Sequence, residues 1–470
     1  MISKQDILER AREWQLRPEV VEKDYVLGWL LAAIGLHEDV ATTWVLKGGT
    51  CVKKCFFETY RFSEDLDFSL LPEAAYSEES IKETLRELTD LAHELSGIEF
   101  SAEAIAVRSR ADRLGQTTFE GKIGYKGPLA VPGWPRVLFD ITQYEPVVNE
   151  PVLRPILHPY PDAPLPDGAL VSTYSLEELI AEKTRALYER SRPRDLYDVV
   201  YILTNSGEMI DLDHARDVFG EKCSAKQLAV PNADELVRIV SEAPEIISEW
   251  DNMLAHQLPS LPPPEGVIAR LEGALAWLTP EVAAASAVIP SQELQPVAAR
   301  PNETLVAPAP SKLWRTPIPL ETIRFAGANR LLVEFIYKGK RRTLEPYSLR
   351  RSSLGNLLLY GWELESAQIK AFDVAKMSGL RTTERTFIPR HAVEFTGTGT
   401  VEIAPVAVRA SHGPFRRASR RKPGPVYVFR CPVCQKLFRH RKNDSSLRRH
   451  RMSTGGPYCP SRRGYLEHIH

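Results

Sequence analysis

Two short segments in the N-terminal half alternate between apolar and polar positions and carry acidic residues on one face. Phe62–Phe68 is predicted to be a strand in which Asp65 and Asp67, two residues apart, project to the same side. Residues 137–141 alternate in the same way, with Asp140 opposite the apolar face. If the two strands are neighbours in one sheet, Asp140 lies beside the other two carboxylates. Otherwise Asp140 is a strand-end residue that caps a turn.

A helical pattern follows farther along the chain. Ser175–Glu178 has the sequence of a capping box that starts a helix, and Ser191–Pro193 is predicted to break this helix before a second one begins. If the protein binds a nucleoside triphosphate, Lys183 in the first helix could contact it as a point charge. Arg194 or Asp195 could hold the triphosphate or the molecule that accepts a group from it. A solvated helix face with ion pairs between successive turns explains the same charges equally well.

A glycine turn is separated from Asp65 by fourteen residues. In Lys47–Thr50, two glycines have no side chain to block a triphosphate, and a loop that opens a helix points free N–H groups at an anion. Carboxylates beside such a turn suit Mg²⁺, which also binds phosphate oxygens. The pattern therefore predicts triphosphate contacts from Lys47, Gly48, Gly49 and Thr50, and a two-metal site at Asp65, Asp67 and Asp140.

The ordered motifs resemble the AbiEii/AbiGii abortive-infection nucleotidyltransferase toxins. Over roughly residues 5–275, the resemblance is carried by the glycine turn, by Arg61–Phe68, by Glu178–Asp198 and by Glu22–Tyr25 upstream. It implies a nucleotidyltransferase-fold domain with a mixed sheet, followed by a helical half. It also implies that Asp65 and Asp67 are metal ligands, that the Gly48–Thr50 turn contacts phosphate, and that Lys183 and Asp195 have functional roles.

From this resemblance we expect an Mg²⁺-dependent toxin that transfers a nucleotide from a nucleoside triphosphate to an acceptor, the 3′ end of an RNA such as transfer RNA. Some members of the family act on transfer RNA, and the family is often encoded with an antitoxin partner. Two alternatives stay open: transfer to a protein hydroxyl, and a nucleic-acid-binding regulator with an inactive transferase domain. The intact glycine turn and the pair Asp65 and Asp67 argue against the regulator.

Composition and charge place the chain among globular proteins with a polyanionic partner. Its 470 residues are 43% apolar and 26% charged, which predicts about three domains. No apolar run is long enough for a membrane span, and residues 1–6 lack a signal peptide's apolar core, so we expect a cytoplasmic protein without membrane contacts. The net charge of −1 is unevenly distributed along the chain. Residues 410–470 contain fifteen Lys or Arg and two acidic residues, a net charge of +13. Residues 1–409 therefore have a net charge of −14. Such a basic tail predicts a nucleic acid as partner.

Two linkers divide the chain into a multidomain α+β protein. Residues 1–278 form the predicted transferase domain, and residues 279–315 are rich in Pro and Ala, as is typical of an extended spacer. Residues 398–426 are a second linker, which contains the basic run Arg416–Lys422. The two linkers leave residues 316–397 and residues 427–470 as separate C-terminal modules.

Residues 316–397 alternate like the short strands of a small SH3-like β-barrel. The segment resembles a WYL-type domain in Glu345–Tyr347, in Leu359–Trp362 and in Ile369–Met377. The Trp-Tyr-Leu signature itself is absent, because three leucines occupy that strand. Sensing of a ligand or a nucleic acid is therefore an expectation that rests on this resemblance.

Residues 427–470 are predicted to form a small module with a structural Zn²⁺ ion. Cys431 and Cys434 lie on a tight turn from which two thiolates can reach one tetrahedral metal ion. His450 and Cys459 are the best candidates for the remaining ligands. Other histidines compete for the site, namely His440, His468 and His470.

Basic and aromatic residues interleave with the predicted zinc ligands. We expect the module to bind RNA or DNA chiefly through phosphates, with Phe438, Tyr458 and Tyr465 stacking on exposed bases. A solubilising tail and an arm for an acidic protein partner are the alternatives. The expected phosphate contacts come from Arg439, Arg441, Lys442, Arg448, Arg449 and Arg451.

Overall fold

Strands from the N-terminal half form one mixed sheet in the computed structural model of the chain. The structure describes residues 1–71, 76–111, 117–206, 209–279, 294–298, 303–305, 316–395, 427–440, 443–452 and 457–469. The strands are β1 (Trp44–Lys47), β2 (Asp65–Leu70), β3 (Glu99–Ala111), β4 (Thr117–Lys126), β5 (Arg136–Gln143), β6 (Val152–Pro155) and β7 (Leu170–Thr173). Within these residues their order across the sheet is β3-β4-β5-β2-β1-β7-β6.

The two acidic strands predicted from the sequence are neighbours in this sheet. β2 runs antiparallel to β1 and parallel to β5. The alternation predicted for β5 is confirmed, with its apolar side chains buried and Asp140 exposed. The predicted start of β2 at Phe62 is wrong, and the strand begins at Asp65. The reason is that the N–H of Phe62 donates to the carbonyl oxygen of Gln257 (2.9 Å) and not to a neighbouring strand.

Helices pack around this sheet and then against one another. α2 and α4 pack together, and α4 also contacts β3, while α5 to α12 form the predicted helical half. The π-helical turn Val52–Phe56 continues α3. The helices are α1 (Lys4–Trp14), α2 (Pro18–Gly35), α3 (Gly48–Cys51), α4 (Glu78–Ser96), α5 (Leu176–Arg190), α6 (Pro193–Asn205), α7 (Leu212–Ala225), α8 (Ala233–Glu242), α9 (Pro244–Ser248), α10 (Trp250–Leu254), α11 (Pro264–Ile268) and α12 (Leu271–Leu275).

The ends of α5 follow the sequence prediction only in part. Ser175 caps the helix, because its hydroxyl accepts a hydrogen bond from the N–H of Glu178 (3.2 Å). The predicted reciprocal bond of the capping box is absent, since the carboxylate of Glu178 instead accepts from the N–H groups of Val148 (2.9 Å) and Asn149 (3.0 Å). The predicted break is confirmed: Ser191 has a left-handed backbone (φ 44°) and separates α5 from α6.

The third quarter of the chain forms a second, antiparallel sheet beside one helix. This arrangement confirms the alternating strands predicted there, and the WYL resemblance stays a prediction. The strand order in the described residues is β12-β11-β10-β9-β13, and β8 pairs with β10. The elements are β8 (Thr304–Leu305), α13 (Leu320–Ala328), β9 (Leu331–Tyr337), β10 (Lys340–Arg351), β11 (Leu357–Glu363), β12 (Gln368–Asp373) and β13 (Met377–Thr386).

This second sheet is joined to the first half of the chain by a shared apolar core. Side chains of α13, β9 and β10 belong to the same buried cluster as the core of the first sheet. Polar contacts add to the joint, since Arg324 pairs with Glu58 (3.1 Å) and the hydroxyl of Thr322 donates to Gln15 (3.0 Å). The two parts therefore share one apolar core.

Part of the predicted linker 279–315 packs on the second sheet. Val297 is buried in a small cluster with Tyr347 and Tyr360, and β8 pairs with β10. The described pieces, residues 294–298 and 303–305, thus differ from the extended spacer that the composition predicts. They bury apolar and backbone groups that a free spacer would leave in water, and the other residues of this linker lie outside the described residues.

The C-terminal module is a small sheet with a core of its own. Its strands β14 (Tyr427–Arg430), β15 (Leu437–His440) and β16 (Tyr465–Ile469) pair in the order β15-β14-β16. The predicted basic run Arg416–Lys422 lies outside the described residues. Among the described helices of the whole chain, none has both the length and the apolar character needed to cross a membrane. The module's buried cluster comprises Phe429, Cys431, Phe438, Leu447 and Cys459.

Candidate functional site

The sheet register brings the predicted aspartates together. In the parallel pair of β2 and β5, Asp67 lies directly beside Asp140, while Asp65 is opposite Leu138. On the other side of β2, Asp67 is opposite Lys47 of β1. The central carboxylate therefore has a second carboxylate on one side and an ammonium group on the other.

The glycine turn packs directly on this central carboxylate. Gly48 has a φ of +73°, and a Cβ atom at this position would lie 2.0 Å from Oδ2 of Asp67. Only glycine combines this backbone conformation with such a close approach. Thr50 is buried, and its hydroxyl donates to the backbone carbonyl of Asp65, which ties the turn to β2. Gly49 faces elsewhere, since its added Cβ would meet Arg61 at 3.0 Å.

The three carboxylates are held in an environment that disfavours their charge. Burial, followed by the charges of Asp67 and Asp140, raises the pKa of Asp65 to about 6. Burial also raises the pKa of Asp67, although Lys47 and Lys183 oppose it. The pKa of Asp140 is raised by burial and by Asp67. A bound cation would relieve this repulsion, because it supplies the missing positive charge.

A cleft of about 440 Å³ opens beside Asp67 and Asp140. The predicted site residues that line it are Lys47, Gly48, Asp67, Asp140 and Lys183. The other predicted residues do not line it, namely Gly49, Thr50, Asp65, Arg194 and Asp195. The lining also contains charged residues that are not among the predicted site residues, namely Arg110, Glu145, Glu182, Arg185 and Arg190.

Lys183 belongs to a buried network of charges. Its Nζ atom pairs with Asp198 (2.8 Å), which also accepts two hydrogen bonds from Arg61 (2.6 and 2.8 Å). Burial opposes the charge of Asp198, but the two cations outweigh it and lower the pKa of this carboxyl. Lys183 is buried, so the alternative of a solvated helix face is wrong for this residue.

Asp195 contacts Arg190, an arginine at the end of α5 that lines the cleft. Its carboxylate accepts hydrogen bonds from Nε and a terminal nitrogen of Arg190 (2.7 and 2.8 Å), and the Arg190 side chain is 48% exposed where it lines the cleft. Arg194 instead donates from Nε to the carbonyl oxygen of Met253 (3.1 Å). The sequence signal for Arg190 was its place just before the helix break at Ser191.

Lys47 is paired with a glutamate that no local pattern marked. Glu145 follows β5 and accepts hydrogen bonds from Lys47 and from the hydroxyl of Ser69, the latter at 2.8 Å. Burial opposes the charge of Lys47, but Glu145 and Glu182 outweigh it and raise its pKa. The cleft therefore contains a fixed, charged Lys47 immediately before the glycine turn.

The upstream block Glu22–Tyr25 holds α2 in place. The carboxylate of Glu22 accepts from the N–H of Leu129 (2.6 Å), and Asp24 pairs with the buried Lys54 (2.8 Å). Glu22 and Asp24 therefore have a structural role, because their contacts stabilise the fold. Lys23 pairs with Glu64 (3.0 Å), next to the start of β2.

Replacing Asp198 with asparagine is expected to destabilise the fold by about 3 kcal/mol, because it leaves two buried cations, Arg61 and Lys183, without a negative partner. The matched change Asp195→Asn is expected to cost less, about 1 kcal/mol, because its partner Arg190 is half-exposed and water can solvate the unpaired guanidinium, although Asp195 itself is buried. Urea unfolding of the two variants measures the difference. Equal destabilisation would contradict the role of Asp198 as the buried anchor.

A family model described as "Nucleotidyl transferase AbiEii toxin, Type IV TA system" matches residues 29–282, which is more than half of the 470 residues. The chain belongs to the AbiEii family of nucleotidyltransferase toxins. It is therefore a nucleotidyltransferase, and the resemblance drawn from its motifs is confirmed. Family membership implies a nucleoside triphosphate as substrate and, from the type IV toxin–antitoxin system, an antitoxin partner.

The chain is also similar to solved structures. MenT4, a nucleotidyltransferase toxin from Mycobacterium tuberculosis H37Rv, matches 62% of this chain and 100% of its own, at 20% identity and a TM-score of 0.42. The chain matches none of the curated proteins with which it was compared. The family assignment rests on the family model and not on this likeness.

The C-terminal module gathers the four predicted zinc ligands. Within the described residues, they form the only group of three or more metal-binding side chains whose ligand atoms all lie within 4.8 Å of one another. The Sγ atoms of Cys431 and Cys459 are 3.6 Å apart, and Nε2 of His450 is 3.1 Å from Sγ of Cys434. Nδ1 of His450 lies 2.8 Å from the carbonyl oxygen of Arg448, to which it donates, so Nε2 is left with a lone pair for a metal ion.

The competing histidines lie outside this cluster. His440 packs its ring on Phe429 (5.2 Å between centroids), His468 is not among the gathered ligands, and His470 lies outside the described residues. Burial opposes ionisation of Cys431, but backbone N–H groups of Cys434 and Val433 outweigh it and lower its pKa to about 6. A thiolate at this position is the form that binds zinc.

Proposed function

We propose that this chain, with Mg²⁺ held by Asp65, Asp67 and Asp140, transfers a nucleotide from a nucleoside triphosphate to the 3′ end of an RNA such as transfer RNA. The position of Asp67 carries the proposal, because it lies beside Asp140 in the register and against the backbone of Gly48. Carboxylate oxygens at the edge of a cleft fit Mg²⁺, which is bound by one or two carboxylates together with phosphate oxygens. Membership of the AbiEii family supports the transfer reaction.

The cations of the cleft would divide into two groups. Arg110 and Arg190 have exposed side chains, 74% and 48%, and would contact the triphosphate oxygens. Lys47 and Lys183 are paired with carboxylates and nearly buried, and would act as fixed positive charges beside Asp67. This division assigns binding to the arginines and electrostatic preorganisation to the lysines.

In the proposed reaction the oxygen of an acceptor hydroxyl attacks the α-phosphorus and its proton passes to water. The bond between the α-phosphorus and the oxygen that bridges the α- and β-phosphates breaks, and pyrophosphate leaves. Mg²⁺, when bound, supplies Lewis acidity to the phosphate oxygens. The Gly48–Thr50 turn would offer backbone N–H groups to the triphosphate, and Arg190 would stabilise the charge that grows on the leaving pyrophosphate. Asp195 would keep Arg190 in that position through its two hydrogen bonds.

For the C-terminal module, we propose a structural Zn²⁺ ion at Cys431, Cys434, His450 and Cys459. Three thiolates and one imidazole form a closed tetrahedral set with no open position for a substrate. The module would bind nucleic acid through its basic residues and bring the acceptor to the enzyme. In the proposed domain order, the module comes after a transferase domain (1–278), a linker (279–315), a WYL-like domain (316–397) and a basic linker (398–426).

Incubation with each α-labelled ribonucleoside triphosphate, total RNA and Mg²⁺ tests the proposal. We expect label on RNA of the size of transfer RNA, and no label when the γ-phosphate carries it, because the γ-phosphate leaves with pyrophosphate. The variant Asp67→Asn is the negative control. Label on protein that survives ribonuclease would identify a protein hydroxyl as acceptor, and absence of label from both RNA and protein would contradict the proposal.

A further inference from the structure

The zinc module rests on an acidic face of the transferase half. This face, which we call the acidic face, consists of Glu38 and Asp39 after α2 and of Glu83 and Glu87 on α4. Each of its residues meets a side chain of the module. The contacts are Lys436 with Glu38 (3.1 Å), Arg451 with Asp39 (3.7 Å), Arg449 with Glu83, and the hydroxyl of Tyr458 with Glu87 (3.1 Å).

These contacts are polar and leave space between the two parts. The buried cluster of the module shares no residue with the large apolar cluster of the described chain, whereas the second sheet does share that cluster. A cavity of about 110 Å³ lies between the module and the acidic face, lined by His37, Glu87 and Arg449 among others. Exposed ion pairs are individually weak, so this contact is separable, unlike the joint made by α13.

Three of the four module side chains in this contact, those of Arg449, Arg451 and Tyr458, are among the residues expected to bind nucleic acid, and Lys436 adds a fourth polar group. Arg449 and Arg451 stack on the ring of Tyr458, with their guanidinium carbons 3.9 and 4.7 Å from its centroid. Arginines bind the phosphates of single-stranded nucleic acid, and aromatic rings stack on its bases. Two arginines on one tyrosine ring place both kinds of group together. In the structure their charges face carboxylates instead, so the acidic face occupies the place that phosphates would take.

We propose that the acidic face is an internal competitor of nucleic acid for Arg449, Arg451 and Lys436. The module binds a phosphodiester strand with these residues only when it leaves the acidic face, so docking reduces the apparent affinity. This proposal rests on the proposed function of the module as a nucleic-acid-binding element. The shared chemistry of the ligand is the phosphodiester backbone, and single-stranded RNA and duplex DNA are separate arms of the test.

The competition has a signature in the salt dependence of binding. Salt weakens binding to phosphates, because counterions released into a more concentrated salt solution gain less entropy. Salt also weakens the ion pairs with the acidic face, which makes undocking easier. The two effects oppose each other in the intact protein. We therefore expect a shallower fall of affinity with salt in the wild type than in a variant whose acidic face has lost most of its charge.

The experiment uses the full chain and a variant of the acidic face that keeps only the charge of Asp39, with Glu38→Gln, Glu83→Gln and Glu87→Gln combined. Fluorescence anisotropy with a short labelled single-stranded RNA, and with a DNA duplex, measures affinity between about 50 and about 200 mM salt. We expect the variant to bind about fivefold to tenfold more tightly than the wild type at the lower salt, with the steeper salt slope. Adding Arg449→Gln and Arg451→Gln to the variant should remove the gain.

A matched control removes the same charge elsewhere, through Asp234→Asn, Glu245→Gln and Glu272→Gln, which are exposed positions of α8, α9 and α12. Equal tightening by this control would overturn the proposal, because net charge alone would then explain the gain. No tightening by the acidic-face variant, while the arginine changes still weaken binding, would also overturn it and leave nucleic-acid binding by the module intact. If none of the changes alters binding, the proposed function of the module is wrong as well.

Discussion

Asp67→Asn is expected to lower nucleotide transfer by a factor of about 10³ or more while the protein stays folded. Asparagine keeps the shape of the side chain beside Gly48 but removes the charge that a divalent cation requires. The fold should not suffer, because burial already raises the pKa of Asp67 and thus disfavours its ionised form. Transfer of labelled nucleotide and thermal unfolding are the two measurements.

The control for this prediction is Asp217→Asn, the same change at an exposed position of α7. It should leave transfer at the wild-type level. Asp65→Ala should also abolish transfer, since it removes another carboxylate from the same strand. A well-folded Asp67→Asn protein with wild-type transfer would contradict the placement of the metal ions at this site.

The second large effect is expected from removal of zinc. The purified protein should contain close to one zinc ion per chain, and Cys431→Ser or His450→Asn should lose it. Structural zinc contributes about 10–16 kcal/mol of apparent binding free energy to small modules. Without it, residues 427–470 should be cut rapidly by trypsin, while the transferase half resists.

Two matched changes separate this site from its competitors. His468→Asn alters a histidine that is not among the gathered ligands, and Cys223→Ser alters a buried cysteine of α7. Both variants should keep their zinc. Metal analysis that finds no zinc in the wild type, or a protease-resistant module in Cys431→Ser, would show that the cluster is not a zinc site.

The sequence by itself determined the features that depend on neighbouring residues. Alternation with a period of two put Asp65 and Asp67 on one side of a strand, and the break at Ser191 separated α5 from α6. The spacing of Cys431 and Cys434 sets the reach of two thiolates, because a tight turn has few conformations. The ordered motifs also identified the AbiEii family before the fold was known.

Only the tertiary structure decided which distant charges meet. Nothing local to Lys183 indicates that Asp198 will pair with it, or that Glu145 will pair with Lys47. The helix pattern allowed ion pairs or phosphate contacts equally, since i,i+4 spacing is the same for both. Pairing across the sheet and between helices depends on register and packing over the whole domain, and these are set by burial of apolar surface rather than by charge.

The contact between the zinc module and the acidic face is also decided only by the tertiary structure. Its basic residues and the acidic residues near α4 are visible in the sequence, but they are separated by most of the chain. Composition can show that opposite charges exist, whereas their distance depends on where the intervening sheets place them. The sequence therefore determined the motifs and the candidate metal ligands. The tertiary structure decided the register beside Asp67, the partners of the buried lysines and the docking of the module, because each of these depends on long-range packing.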